Sequence, residues 1–167
     1  LPKWESAWCQ IVAEDGTWWL GTLPFAPVTG PVVDYLASQL VGEDCLATDR
    51  LADMMVRMTK PYGSTGLASY AVSAVDLALW DLKGKLLDQP VYTLLGGPQK
   101  DRIFCYATGN DVDWYKELGF RAFKLACPCG PADGLDGIKR NEAFVAQARE
   151  TIGDESELML DCWMAFD

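Results

Sequence analysis

Between Ser6 and Gly21 the chain reads SAWCQIVAEDGTWWLG, two short runs of aromatic and branched residues on either side of Asp15-Gly16. That pair readily supplies the positive φ of a tight turn, so the segment predicts an antiparallel hairpin. The rhythm then lengthens. Helical segments are expected at about 30–41, 49–59 and 66–87. In the last, Val72, Val75, Leu79, Leu82 and Leu86 recur at alternating spacings of three and four, which aligns them along one helix face. Lys83 and Lys85 sit near the end of that helix, where cations complement its dipole, and Pro90 and Gly96-Gly97-Pro98 close the region. Residues 1–100 therefore predict an α+β unit.

From residue 101 the pattern changes to strand, helix, strand, helix, strand. RIFCYATG (102–109), RAFKLAC (121–127) and ELMLDC (157–162) read as strands. A short helix is expected at 113–118. A longer one is expected at 136–153, with Ile138, Val145, Ala148 and Ile152 on one face and Gly153 just past its end. Strands alternating with helices imply parallel βαβ units, whose ligands collect at the carboxyl ends of the strands. That places Lys124, the 127–134 loop and Asp161 together at one end of one sheet. Position alone leaves their roles open. A carboxylate after an apolar strand is also what a helix cap or a loop satisfied by backbone N–H groups looks like, and Lys124 is also readable as a solvated lysine. Asp76 and Asp81 are equally readable as polar-face residues, and the 72–86 stripe as core.

Composition narrows the chemistry. The chain has 167 residues, half of them hydrophobic, enough for a real core. Its net charge of −10 argues against nucleic acid or an anionic membrane as partner. No apolar run reaches the roughly 18 residues of a membrane span, and the first residues lack a signal-peptide layout, so a cytoplasmic setting is expected. The six cysteines are expected as free thiols. CPC at 127–129 leaves one residue between thiols, where structural zinc pairs usually leave about two to four. With no histidine in the chain, zinc is not expected, and neither a Ser-His-Asp nor a Cys-His site can be assembled from it. The glycines match neither a P-loop nor a dinucleotide fingerprint. Carboxylates and lysines remain.

The segment YAVSAVDLALWDLKGKLLDQPVYTLLGG (70–97) resembles the signature segment of the mandelate racemase and muconate lactonizing branch of the enolase superfamily. YATG (106–109), GPADGLDGIKRN (130–141) and LMLDCWM (158–164) are similar to the L-rhamnonate dehydratases of that branch. The resemblance implies an N-terminal α+β capping domain, residues 1–100, followed by the first three strands of a modified TIM (β/α) barrel, residues 101–167. This part falls far short of the roughly 250 residues of a typical barrel, so the chain is expected to be an N-terminal fragment.

The same resemblance implies a Mg²⁺-dependent acid-sugar dehydratase, in which Asp161 is the first of three carboxylate ligands to the metal. Mg²⁺ prefers hard oxygen ligands and stabilises charge that develops when an α-proton is removed. Members with a base on the second barrel strand carry a Lys-x-Lys pair there; FKLAC keeps Lys124 but has Ala126 in place of the second lysine. The expected mechanism is thus one-sided: Lys124 faces the substrate carboxylate, and a histidine from a later strand, paired with an aspartate, removes the proton. Loss of the β-hydroxyl then gives a 2-keto-3-deoxy acid. The implied partner is a small acid sugar, and the full-length form is expected to be a homo-oligomer. The alternatives are a dehydratase for another acid sugar, such as a fuconate or arabinonate, and a non-catalytic fragment or half-assembly.

Overall fold

The computed structural model describes residues 6–24, 26–63 and 65–165. It divides into two units, Leu1–Gln99 and Lys100–Asp167.

In the first unit, β1 (Ser6–Val12) and β2 (Trp18–Pro24) pair antiparallel, with Ser6 opposite Pro24 and Val12 opposite Trp18. The turn forms where Asp15-Gly16 predicts it. Gly16 adopts φ of 86°, and the Asp15 carboxylate accepts the Thr17 N–H at 2.8 Å, a local bond that fixes the reversal. Three helices follow, α1 (Ala26–Leu40), α2 (Thr48–Thr59) and α3 (Leu67–Leu86). The first begins earlier than the expected position near residue 30 and takes in Pro31. A further short helix, α4 (Val91–Leu94), lies between the Pro90 and Gly96 signals that were expected only to end the region.

Val75, Leu79 and Leu82 are buried as the α3 stripe predicts, joined by Ala71, Ala74 and Ala78. Those alanines let α3 lie close to the sheet. A Cβ built on Gly21 of β2 would overlap the Ala74 carbonyl, so the two backbones touch where neither side can carry bulk. Leu23, Leu36, Leu51 and Met55 complete this core. Its buried polar groups are satisfied. The Thr29 hydroxyl donates to the Pro24 carbonyl at 2.8 Å, and Lys83 Nζ donates to the Thr48 hydroxyl at 3.2 Å.

The second unit holds β3 (Ala107–Thr108), α5 (Val112–Glu117), β4 (Ala122–Ala126), α6 (Gly134–Ile152) and β5 (Glu157–Asp161). The three strands are parallel in the order β3-β4-β5. Phe123 and Leu125 of β4 pack with Val112 of α5 and with Ala148 and Ile152 of α6. Asp111 caps α5 by accepting the Trp114 N–H. Arg149 in the last turn of α6 donates to the carbonyls of Gly153 at 2.8 Å and Ser156 at 2.7 Å, placing positive charge where the helix dipole favours it.

Two expectations are corrected. The first strand is not 102–109: residues 102–106 are exposed and only Ala107 and Thr108 pair, opposite Phe123 and Lys124. Branched and aromatic residues favour extended backbone, but a strand is defined by its partner, and β4 begins only at Ala122. Ile138 is also not in the core, being 62% exposed; Phe144 packs there with Ala148 and Ile152. No helix among the described residues is long and apolar enough to cross a membrane.

Candidate functional site

The register Ala126↔Asp161 sets the ends of β4 and β5 level. Side chains alternate across a strand, so Phe123 and Leu125 face the helices while Lys124 and Ala126 project from the other face. Asp161, level with Ala126, shares that second face. Lys124 Nζ lies 3.1 Å from Asp161 Oδ2, with the two side chains 27% and 35% exposed. Lys124, Ala126 and Asp161 are therefore brought together at the carboxyl end of the parallel strands.

Asp161 is held at both oxygens. Oδ1 accepts the Trp163 N–H at 2.9 Å, closing a turn in which Trp163 takes φ of 55°. That backbone donor, followed by the Lys124 ammonium, pulls the Asp161 carboxyl below the usual aspartate range. Reciprocally, the bond that Lys124 donates to Asp161 lifts Lys124 above the ordinary lysine value, so the pair is charged at neutral pH. Lys124 Nζ also stands 5.5 Å from the ring centroid of Tyr106.

Two asparagines fix the backbone around this pair. Asn110, just after β3, accepts the Ala126 N–H at 2.9 Å and donates to the Ala126 carbonyl at 3.4 Å. Asn141 of α6 does the same for Cys129, accepting its N–H at 3.0 Å and donating to its carbonyl at 2.9 Å. Asp133 accepts the Gly130 N–H at 2.9 Å. The 127–133 loop is thus tied to α6 rather than left loose. Sequence reasoning missed Tyr106, Asn110 and Asn141. Asn110 sits beside a strand-end glycine, a weak signal, while Tyr106 and Asn141 fall inside the YATG and GPADGLDGIKRN segments without either residue being singled out.

As a metal donor, Asp161 offers hard, partly exposed oxygens, and Oδ2 keeps a lone pair beyond its bond to Lys124. It fits one position in a divalent-cation shell. Among the described residues no group of three or more His, Cys, Asp or Glu is placed to hold a metal ion, so the remaining donors would come from elsewhere. A cavity of about 510 Å³ beside the outer edge of β5, lined by Leu125, Val145, Arg149 and Leu160, includes neither Lys124 nor Asp161. Its lining is mostly aliphatic, with Glu142 and Arg149 as the charged members.

This geometry is that of an α+β capping unit followed by the opening strands of a parallel barrel. Residues 9–96 match the family model described as mandelate racemase / muconate lactonizing enzyme, N-terminal domain. The chain belongs to this family, part of the enolase superfamily. An L-rhamnonate dehydratase from Saccharopolyspora erythraea is 43% identical over 159 residues, covering 95% of this chain and 41% of that protein. Rhamnonate dehydratase from Gibberella zeae complexed with Mg matches with a TM-score of 0.83 and 36% identity, over 97% of this chain and 40% of that one. The 3,6-anhydro-D-galactonate cycloisomerase from Zobellia galactanivorans matches with a TM-score of 0.83 and 33% identity, over 95% and 46%. The chain spans about two fifths of the length of the curated relatives it matches.

Proposed function

We propose that this chain is the N-terminal part of an acid-sugar dehydratase acting on L-rhamnonate or a near stereoisomer, with Asp161 as one ligand of Mg²⁺ and Lys124 facing the substrate carboxylate. The observation that carries the reading is the Lys124–Asp161 pair at the carboxyl end of parallel strands, with Ala126 level with Asp161 on the same face. The identity to an L-rhamnonate dehydratase supports the substrate class.

When bound, Mg²⁺ supplies Lewis-acid polarisation of the substrate carboxylate, which acidifies the α-proton. Asp161 is kept ionised for that role by the Trp163 N–H and the Lys124 ammonium. Lys124 is held protonated by Asp161, so it serves as a fixed positive charge for a carboxylate and not as a base. Ala126 carries only a methyl group, so β4 offers no second proton acceptor at this level. Proton removal then falls to a base outside the described residues, on one face of the α-carbon, and loss of the β-hydroxyl gives the 2-keto-3-deoxy acid. The active form on this reading is a cytoplasmic homo-oligomer.

The test uses the intact protein that carries this chain, assayed with L-rhamnonate and a panel of stereoisomers with and without Mg²⁺. Turnover that requires Mg²⁺ and is abolished in a folded Asp161→Asn variant is expected, because the amide keeps the shape but removes the charge the cation needs. Near-normal turnover in that variant at ordinary Mg²⁺ would reduce Asp161 to a turn-forming residue. Cyclised product from an anhydro-sugar acid, without dehydration of any panel member, would move the assignment to the cycloisomerase side of the family.

A further inference from the structure

On the reverse side of the Lys124–Asp161 face, the ends of β4 and β5 bring two thiols together. Cys127 and Cys162 each follow one member of the last register pair, Ala126↔Asp161. The Cys127 N–H donates to the Asp161 carbonyl at 2.9 Å, so the ladder runs on to them. Alternation turns both side chains away from Lys124 and Asp161, toward the helix side of the sheet. There the Cys127 thiol donates to the Cys129 carbonyl at 3.3 Å, and Cys162 occupies the neighbouring position on the adjacent strand. Neighbouring strands lie about 4.8 Å apart, inside the roughly 4.4–6.8 Å between Cα atoms that a disulfide spans. Both residues are partly exposed, whereas Cys129 is buried and its backbone is held by Asn141.

We propose that Cys127 and Cys162 form a paired-thiol modification site, which closes to a disulfide by exchange with a small-molecule disulfide such as oxidised glutathione. The thiolate of one cysteine attacks a sulfur of oxidised glutathione; its S–S bond breaks, a mixed disulfide forms and one glutathione thiolate leaves. The thiolate of the second cysteine attacks the protein sulfur of that mixed disulfide, forming the Cys127–Cys162 bond and expelling the second glutathione thiolate. The two protons lost by the protein thiols end on the two glutathione molecules. Two protein thiols are oxidised and one glutathione disulfide is reduced. The second step outruns reversal because the partner thiol is held on the adjacent strand end, at an effective concentration that external glutathione does not reach. Since the pair lies behind the site and uses none of the Asp161 oxygens, it does not depend on the dehydratase reading.

The experiment incubates the intact protein with oxidised glutathione, alkylates without reduction, and maps the peptides by mass spectrometry. The expected result is a linked Cys127–Cys162 peptide and a mixed disulfide with glutathione at the exposed Cys105, so that three of this chain's six thiols leave the alkylated set. In Cys162→Ser, Cys127 should retain glutathione as a stable mixed disulfide, and Cys127→Ser should do the same for Cys162. If either variant fails to fold, the wild-type map decides alone. The proposal is overturned if Cys127 or Cys162 accumulates glutathione with no linked peptide, if the link joins Cys129 instead, or if both remain alkylatable under conditions that modify Cys105.

Discussion

Replacing Asn141 by alanine isolates what ties the loop behind the site to α6. The Asn141 amide accepts the Cys129 N–H at 3.0 Å and donates to the Cys129 carbonyl at 2.9 Å, and Cys129 is 6% exposed. The two losses are unequal. The carbonyl keeps a weak partner in the Cys127 thiol at 3.3 Å, whereas no other acceptor is seen for the N–H among the described residues. An unsatisfied buried donor costs about 1–3 kcal/mol. A central value of about 2 kcal/mol lowers the free energy of local opening, and at about tenfold per 1.4 kcal/mol this accelerates amide exchange roughly 30-fold. Hydrogen exchange followed by mass spectrometry over 127–133 reads this directly, with α3 as an internal control that should not change. Asn141→Asp keeps an acceptor for the N–H but sets a carboxylate oxygen against the Cys129 carbonyl, so it should loosen the loop as well. Unchanged exchange across 127–133 in the alanine variant would refute the reasoning, since it would mean that water or a shifted loop satisfies Cys129 at no cost.

Phe123→Ala removes a fully buried ring from between α5 and α6 and should destabilise the intact protein by about 3–5 kcal/mol in denaturant unfolding; a loss below about 1 kcal/mol would show that this cluster is not a core. Lys124→Met should raise the Asp161 pKa while leaving it below the usual aspartate value, because the Trp163 N–H is the larger cause of its depression. Titration of the Asp161 carboxyl by NMR checks this, and a return to the ordinary value would reverse the order of the two causes. Asp76 has its carboxyl pKa raised, first by burial and then by Asp49, so the folded state binds its proton more tightly than the unfolded state does. Its contribution is fully present below the unfolded pKa and is lost as pH rises through the folded one. Asp76→Asn should therefore make stability less pH-dependent across that acid window and stabilise the protein at neutral pH, and thermal melts showing destabilisation at pH 7 would contradict the assignment.

What the sequence made legible depended on how local the determining physics is. The hairpin reads directly because Asp15 and Gly16 fix their own turn through a bond two residues long. The α3 stripe reads directly because α3 packs against both strands of the hairpin and against α1 and α2, so its apolar positions meet a partner. Ile138 misleads because periodicity gives the side of a helix and says nothing of how far its partner extends. The 19 residues of α6 span about 28 Å, whereas the five-residue strands β4 and β5 span roughly 17 Å. The helix outruns the sheet, and the core is reached only from Phe144 onward. Residues 102–106 mislead for the complementary reason, since their composition favours extension and the described residues give them no strand to pair with.

The placement of the site follows from the same division. Lys124 and Asp161 could be put at one end of one sheet by counting strands, because parallel order sends every carboxyl end the same way. That they lie on the same face, 3.1 Å apart, depends on the Ala126↔Asp161 register, and the pattern of residues leaves that register open. A shift of one residue would turn Asp161 to the helix side and Cys162 to the Lys124 side, exchanging a hard oxygen donor for a soft thiol. The observed register instead sets a carboxylate beside a lysine on one face of the strand end and leaves Cys127 and Cys162 at the next, neighbouring positions of the two strands. Asn110 and Asn141 then hold the end of β4 and the loop after it from two different elements. Neither contact is written in the sequence neighbourhood of the residues it positions, 16 and 12 places away respectively.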